Sequence, residues 1–305
     1  MVPARATRWT EAMNTETFTP RPTSPTRTAP GEIPAARVLL TGGTGKTGRR
    51  IAALLPGARV ASRSGDPAFD WHRPATWPES VAGVDAVYLS YPEDVAAPGA
   101  AENLAAFASL AARTGVRRLV LLSGRGMPWA AASEQAVTES GLEWTVLRGS
   151  WFAQNFSEEF LVDEVRGGTF TLPVPPAAAE PFVDLDDLAE VAVAALTRPG
   201  HEGRVYELTG PRALTLAEAA EALSAATGRP VTHRHVAPAV YREALVAGGL
   251  TEAHAELLTQ LFVEVFDGRN TPVTDDIPAV LGRPAGDFAR YARRAATAGA
   301  WAPTD

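Results

Sequence analysis

The residues best suited to chemistry sit together early in the chain, at Thr41-Gly42-Gly43-Thr44-Gly45-Lys46-Thr47-Gly48. Glycines 42, 45 and 48 give a G-x-x-G-x-x-G spacing that follows a short apolar run and opens a helical one. In that setting such spacing signals dinucleotide binding. Gly42 permits a tight turn, Gly45 lets backbone approach a pyrophosphate, and Gly48 lets helix and strand pack closely. Backbone N–H groups around Lys46 and Thr47, with the helix dipole behind them, then hold the anion. Lys46 is the single lysine in a chain whose other basic residues are all arginine.

The residues about 20 positions beyond such a loop choose between the two dinucleotides. An acid there binds the ribose hydroxyls of NAD(H), whereas arginine accommodates the extra phosphate of NADP(H). This sequence reads Ala61-Ser62-Arg63-Ser64, with no acid until Asp66. Arg63 can fork onto a phosphate while Ser62 and Ser64 donate hydroxyls. NADP(H) is therefore expected, with NAD(H) second.

A loop of this kind works only if strands and helices aim it. Segments 38–40, 58–61, 69–71, 84–90, 118–123 and 144–148 read as six strands, with helices at 49–55, 101–113 and 134–140. Their alternation predicts an α/β fold with a Rossmann-type, doubly wound parallel sheet. After Arg148 an aromatic stretch appears, Trp151, Phe152, Phe156 and Phe160. Helical patterns follow at 185–196, 216–227, 241–248, 251–266 and 287–298, with short strands at 169–172, 205–208 and 231–236. We divide the chain into a nucleotide-binding domain at 35–156 and a smaller, mostly helical C-terminal lobe at 157–305, together one structural unit. Residues 1–34, rich in Thr, Pro, Arg and Ala, read as disordered and lack the apolar centre of a secretory signal. Met13 offers a second start.

Composition narrows the function. With 305 residues and 46% apolar content the chain can bury a sizeable core. A net charge of −7 argues against nucleic acid, whose binding relies on Lys and Arg. No stretch reaches the ~18 apolar residues of a membrane span, so a cytoplasmic protein is expected. The absence of cysteine excludes disulfides, thiolate metal sites and Cys nucleophiles. The five histidines form no ligand pattern, and no metal is expected.

VLLTGGTGKTGRRIA, followed by FDWHRPATW, DAVYLSYP, GVRRLVLLSG, LEWTVLRGSWFAQNFSEEF and the terminal Phe288 and Trp301, resembles the NmrA-like group of atypical short-chain dehydrogenases/reductases. Within it the chain is most similar to ergot-alkaloid-type reductases, the agroclavine and festuclavine dehydrogenases, and to their bacterial relatives. The resemblance spans about residues 37–301. It implies a Rossmann domain with a small C-terminal lobe, NADP(H), and in the fungal members reduction of a cyclic iminium. By position it places Gly42, Thr44, Gly45, Lys46, Thr47 and Gly48 in the phosphate loop and Arg63 on the 2′-phosphate. It puts Asp70 at the adenine edge, and Ser90, Tyr91 and Pro92 under the nicotinamide ribose. Ser123 stands where short-chain dehydrogenases keep a catalytic serine, and Trp151, Phe152 and Asn155, with Phe156 beside them, would line the substrate side.

The Tyr-x-x-x-Lys pair of that superfamily is missing, since no Tyr lies between Tyr91 and Tyr206 and no Lys exists besides Lys46. Three readings follow. A small-molecule reductase could deliver hydride to a cyclic imine or iminium, which needs no general acid, with Trp151, Phe152 and Tyr91 holding the cation by their faces. It could instead reduce a quinone or enone, again with little need of acid catalysis; Ser123 and Tyr91 are the candidate catalytic residues. The third reading is a non-catalytic redox sensor of the NmrA type, the only one that calls for a protein partner. As a reductase the chain would act as a monomer or homodimer on a small molecule.

Overall fold

The computed structural model describes residues 31–92 and 94–302. The segment 1–30, most of the stretch read as disordered, lies outside the described residues. Ile33, also within that stretch, is buried, and its N–H donates to the Thr197 carbonyl at 2.9 Å.

The described strands are β1 (Val38–Thr41), β2 (Arg59–Ala61), β3 (Ala86–Leu89), β4 (Arg118–Gly124), β5 (Glu143–Gly149), β6 (Thr169–Leu172), β7 (Ala179–Glu180), β8 (Arg204–Leu208), β9 (Leu214–Thr215) and β10 (Thr232–His235). The helices are α1 (Lys46–Leu54), α2 (Trp77–Val81), α3 (Ala100–Arg113), α4 (Ala131–Thr138), α5 (Val162–Arg166), α6 (Leu185–Thr197), α7 (Leu216–Thr227), α8 (Pro238–Ala247), α9 (Glu252–Val265), α10 (Asp276–Leu281) and α11 (Phe288–Thr297).

Every residue of β1 and β3 is buried, as continuous apolar runs require when helices cover both faces of a parallel sheet. Alternate residues serve opposite faces. Leu39 and Val87 pack with Trp71, Trp77 and Phe107, whereas Val38, Leu40 and Ala86 pack with Ile51 of α1 and with Leu188 and Ala192 of α6. Six parallel strands form the sheet in the order β2-β1-β3-β4-β5-β8. The chain's direction of travel across the sheet reverses between β1 and β3, the switch point at whose carboxyl side a ligand is received.

Two strand assignments differ from the sequence reading. Segment 69–71 is a turn, because Asp70 Oδ1 accepts the His72 N–H at 2.9 Å and the Asp70 carbonyl accepts the Arg73 N–H at 3.0 Å. Its aromatic neighbours still pack inward, with the Trp71 indole donating to the Ser90 carbonyl at 3.0 Å. Segment 205–208, expected in the smaller lobe, pairs with β5 as the sixth strand of the sheet. Val205 and Leu208, three positions apart, face opposite sides of a strand, so the local pattern does not choose between the two places and only the long-range pairing decides it. The remaining lobe has its own aromatic core of Phe156, Phe170, Phe182, Phe288 and Trp301.

Candidate functional site

A cleft of about 1000 Å³ opens across the carboxyl ends of the central strands. Its floor begins at the glycine loop. Thr41 Oγ1 donates to the Tyr88 carbonyl at 2.9 Å and accepts the Ser90 N–H at 3.0 Å, so the ends of β1 and β3 are tied together under the loop. Gly42 turns with φ of 65°, a left-handed conformation that favours glycine. A Cβ on Gly48 would lie 2.2 Å from the Gly42 carbonyl oxygen, so only glycine lets α1 start this close to β1. Helix α1 carries no side-chain cap on its first N–H groups. An uncapped helix start facing a cleft is built to receive an anion, and the loop therefore fits a dinucleotide pyrophosphate.

Of the sequence-assigned residues, Gly42, Thr44, Gly45, Lys46, Thr47, Arg63, Asp70, Ser90, Tyr91, Pro92, Ser123, Trp151, Phe152 and Asn155 all line this cleft. Four do not. Gly43 is buried, with Val60 close behind its Cα, and Gly48 packs on Gly42. Ser64 is exposed beyond the rim, where Ser62 lines the cleft instead. Phe156, expected beside the substrate, is fully buried between Phe170, Phe182 and Phe288 and so belongs to the lobe's core.

Lys46 reaches across from the loop. Its Nζ lies 3.1 Å from Asn155 Oδ1 and 2.9 Å from Glu159 Oε1, and 5.9 Å from the centre of the Phe152 ring. Arg63 is exposed on the cleft and makes no ion pair among the described residues. Tyr91 is buried against Trp71, and its hydroxyl accepts from Asn103 Nδ2 at 2.9 Å. The Ser123 hydroxyl donates to Glu134 Oε1 at 2.6 Å. Arg148 forks onto the same buried carboxylate through Nε and Nη2, at 3.0 and 2.6 Å. That hydrogen bond to Glu134 holds the Arg148 guanidinium above its ordinary range.

The far wall was missed in the sequence. Helix α9 presents Leu258, Leu261, Phe262 and Val265, followed by Phe266, and Phe160 completes the surface. Trp151 is the hub, with ring centres of Phe262 and Phe266 at 5.5 and 4.8 Å. The i, i+4 spacing of Phe262 and Phe266 marks an apolar helix face, but nothing local says which surface it covers. Arg125, Met127 and His72 also line the cleft and carried no recognisable motif.

The NmrA-like family model matches residues 131–278. An NAD(P)H azoreductase from Xenophilus azovorans is 32% identical over 287 residues, covering 86% of this chain and 98% of the relative. The chain belongs to the NmrA-like family. An agroclavine dehydrogenase from Claviceps fusiformis is 31% identical, over 83% of this chain and 95% of the other. Among solved structures, the triphenylmethane reductase of Citrobacter sp. complexed with NADP(H) superposes with a TM-score of 0.70 at 21% identity. It covers 85% of this chain and 99% of its own. At that identity the likeness shows a shared fold alone. With relatives of this kind matched over nearly their whole length, this member of the NmrA-like family is an NAD(P)H-dependent oxidoreductase.

Proposed function

We propose that this reductase uses NADP(H) in preference to NAD(H) and reduces a small, flat, electron-poor organic molecule. The observation that carries this reading is the joining, in one cleft, of an uncapped glycine-loop helix with a wall of aromatic rings. Bound there, the dinucleotide would supply a hydride. The residues do the rest. Gly42, Thr44, Gly45 and the first N–H groups of α1 would cradle the pyrophosphate, and the exposed Arg63 with Ser62 would take the 2′-phosphate. Lys46, held toward Asn155 and Phe152, ties the loop to the substrate side.

Trp151, Phe262, Phe266 and Phe160 pack edge-to-face on one another and, with Phe152 also lining the cleft, offer an apolar aromatic surface for a planar π system to lie against with water excluded. Alignment of that kind alone can supply ~7–11 kcal/mol of the barrier. Of the two hydroxyls first considered for catalysis, Ser123 donates its hydrogen to Glu134, whereas Tyr91 accepts from Asn103, is buried against Trp71 and keeps its own hydrogen. Acceptors whose reduction needs no proton in the hydride step suit this arrangement, including cyclic iminium ions, quinones and enones. The test is NADPH oxidation against one member of each class. Saturable turnover of at least one is expected, and a panel without turnover would overturn the reading.

A further inference from the structure

Arg125 follows Ser123 and Gly124 at the end of β4 and lines the cleft while being only 7% exposed. Its Nε donates to Glu207 Oε2 at 2.9 Å and its Nη1 to the Asn270 carbonyl at 2.6 Å. The Arg125 N–H is fixed on the Gly149 carbonyl at 2.9 Å. Gly126, at φ of 66°, packs so closely on Asn270 that a Cβ would fall 2.2 Å from Asn270 Oδ1. The guanidinium is thus clamped from two directions, and Nη2 is the nitrogen left without a hydrogen-bond partner among the described residues. Nη2 is also not among the buried side-chain atoms without a partner, so it keeps solvent access on a residue that lines the cleft and is free to donate to a ligand there.

Arg125 and Arg148 share two carboxylates, Glu207 and Glu134, so what Arg125 offers the cleft is a hydrogen-bond donor and not a bare positive charge. Its ion-pair partner Glu207 is 38% exposed and is shared with Arg148 at 3.6 Å. Glu159, the carboxylate lining the cleft near Phe152, is occupied by Lys46. Glu180, buried behind Trp151, accepts only the Trp151 N–H at 3.3 Å, and burial pushes its carboxyl up to about 8. Arg125 works against that shift, but burial outweighs it and favours the protonated carboxyl.

Resting on the reductase reading above, we infer that Arg125 anchors the oxygen that becomes negative during reduction, so that the site selects conjugated carbonyl acceptors over preformed cations. In that step two electrons and one hydrogen leave the dihydronicotinamide carbon and form a new bond on the acceptor. The displaced π pair moves onto the carbonyl oxygen, the nicotinamide is left oxidised, and the oxyanion then takes its proton from water. A preorganised donor at the developing oxyanion accelerates such a step by about 10²–10³-fold, whereas an iminium or a triarylmethyl dye develops no oxyanion and gains nothing from it.

The test compares R125Q and R125K with the unmutated protein, using a neutral naphthoquinone and a cationic triarylmethyl dye as acceptors with NADPH. A hydrogen-bonding cation of this kind is expected to contribute at least about tenfold in kcat/KM for the quinone. R125Q should lose that factor, leave the dye unchanged or improved, and bind NADPH as before; R125K should recover part of the loss. An independent readout is binding of hydroxynaphthoquinone, an anion at neutral pH, against its uncharged methoxy analogue. The anion should bind at least about tenfold tighter to the unmutated protein, with the gap closed in R125Q. Equal losses on quinone and dye, or undiminished quinone turnover in R125Q, would overturn the inference alone. An unmutated protein that turns over neither acceptor would overturn the inference, and one that also fails on enone and iminium would overturn the reductase reading with it. If R125Q fails to fold, the anion-to-neutral binding ratio of the unmutated protein decides, and a ratio near one contradicts the anchor.

Discussion

Ser123 and Glu134 are joined by a 2.6 Å hydrogen bond in which the hydroxyl is the donor, and Arg148 pins the carboxylate in place. A carboxylate so held has only acceptors to offer, so the Ser123 hydrogen is committed and its lone pairs are what remains for the cleft. Ser123 is placed to accept from a ligand N–H, not to protonate a product. Ser123→Ala should lower kcat by less than about tenfold, well below the ~10²–10⁴-fold expected of a general acid. Steady-state rates on whichever acceptor is turned over check this, and a thousandfold loss with unchanged substrate binding would assign Ser123 the acid role after all.

Arg63 reaches the rim of the cleft with no ion pair among the described residues to hold it elsewhere. Arg63→Ala should weaken NADPH binding by about 1.5–3 kcal/mol, the value of a charge-assisted contact, and leave NADH nearly unaffected. Fluorescence titration of both dinucleotides reads this out, and parallel losses for the two would contradict it.

Two glycines of the loop separate binding from folding. A side chain at Gly45 suits the backbone angle there, φ of −74°, and makes one tight contact, a Cβ 3.2 Å from the Gly42 carbonyl oxygen, that a small shift relieves, but it would occupy the space where backbone meets pyrophosphate. Gly45→Val should abolish dinucleotide binding with a near-native circular dichroism spectrum. Gly48→Ala drives a methyl to 2.2 Å from that same oxygen, and should cost about 1–3 kcal/mol of stability as overpacking does. Chemical denaturation of both variants would show the reverse pattern if the loop were misread.

Glu180 gives the stability a pH dependence of known sign. Its carboxyl ordinarily titrates near 4.5 and is raised to about 8 in the fold by burial. Between these values the native protein keeps a proton that the unfolded chain has lost, so stability falls as pH rises across the interval, at up to ~1.4 kcal/mol per pH unit. Glu180→Gln should remove this slope and be the more stable protein near the upper end. Urea denaturation of both proteins across the interval checks it, and parallel slopes would refute the assignment.

The dinucleotide half of the site was legible because its determinants are local. The spacing of Gly42, Gly45 and Gly48 demands a turn, and the apolar run before it demands a buried strand. The substrate half was not, because it is assembled from distance. Helix α9 was read at nearly its observed extent, yet its place over Trp151 depends on packing more than 100 residues away in sequence. Phe152 and Phe156 are indistinguishable as sequence, but one faces the cleft and the other the lobe's core. Strand β8 lies on the sheet only because β5 offers it an edge. Arg125 carried no signal, since arginine is this chain's default cation.

The central claim is that the cleft carries hydride from NADPH to a flat organic acceptor, and initial rates of nicotinamide oxidation with a naphthoquinone test it most directly. The account predicts saturable turnover, with kcat/KM at least about tenfold higher for NADPH than for NADH, in line with one charge-assisted phosphate contact. Tight binding of NADPH without oxidation by quinone, enone, iminium or azo acceptors would contradict it and would describe a dinucleotide sensor instead.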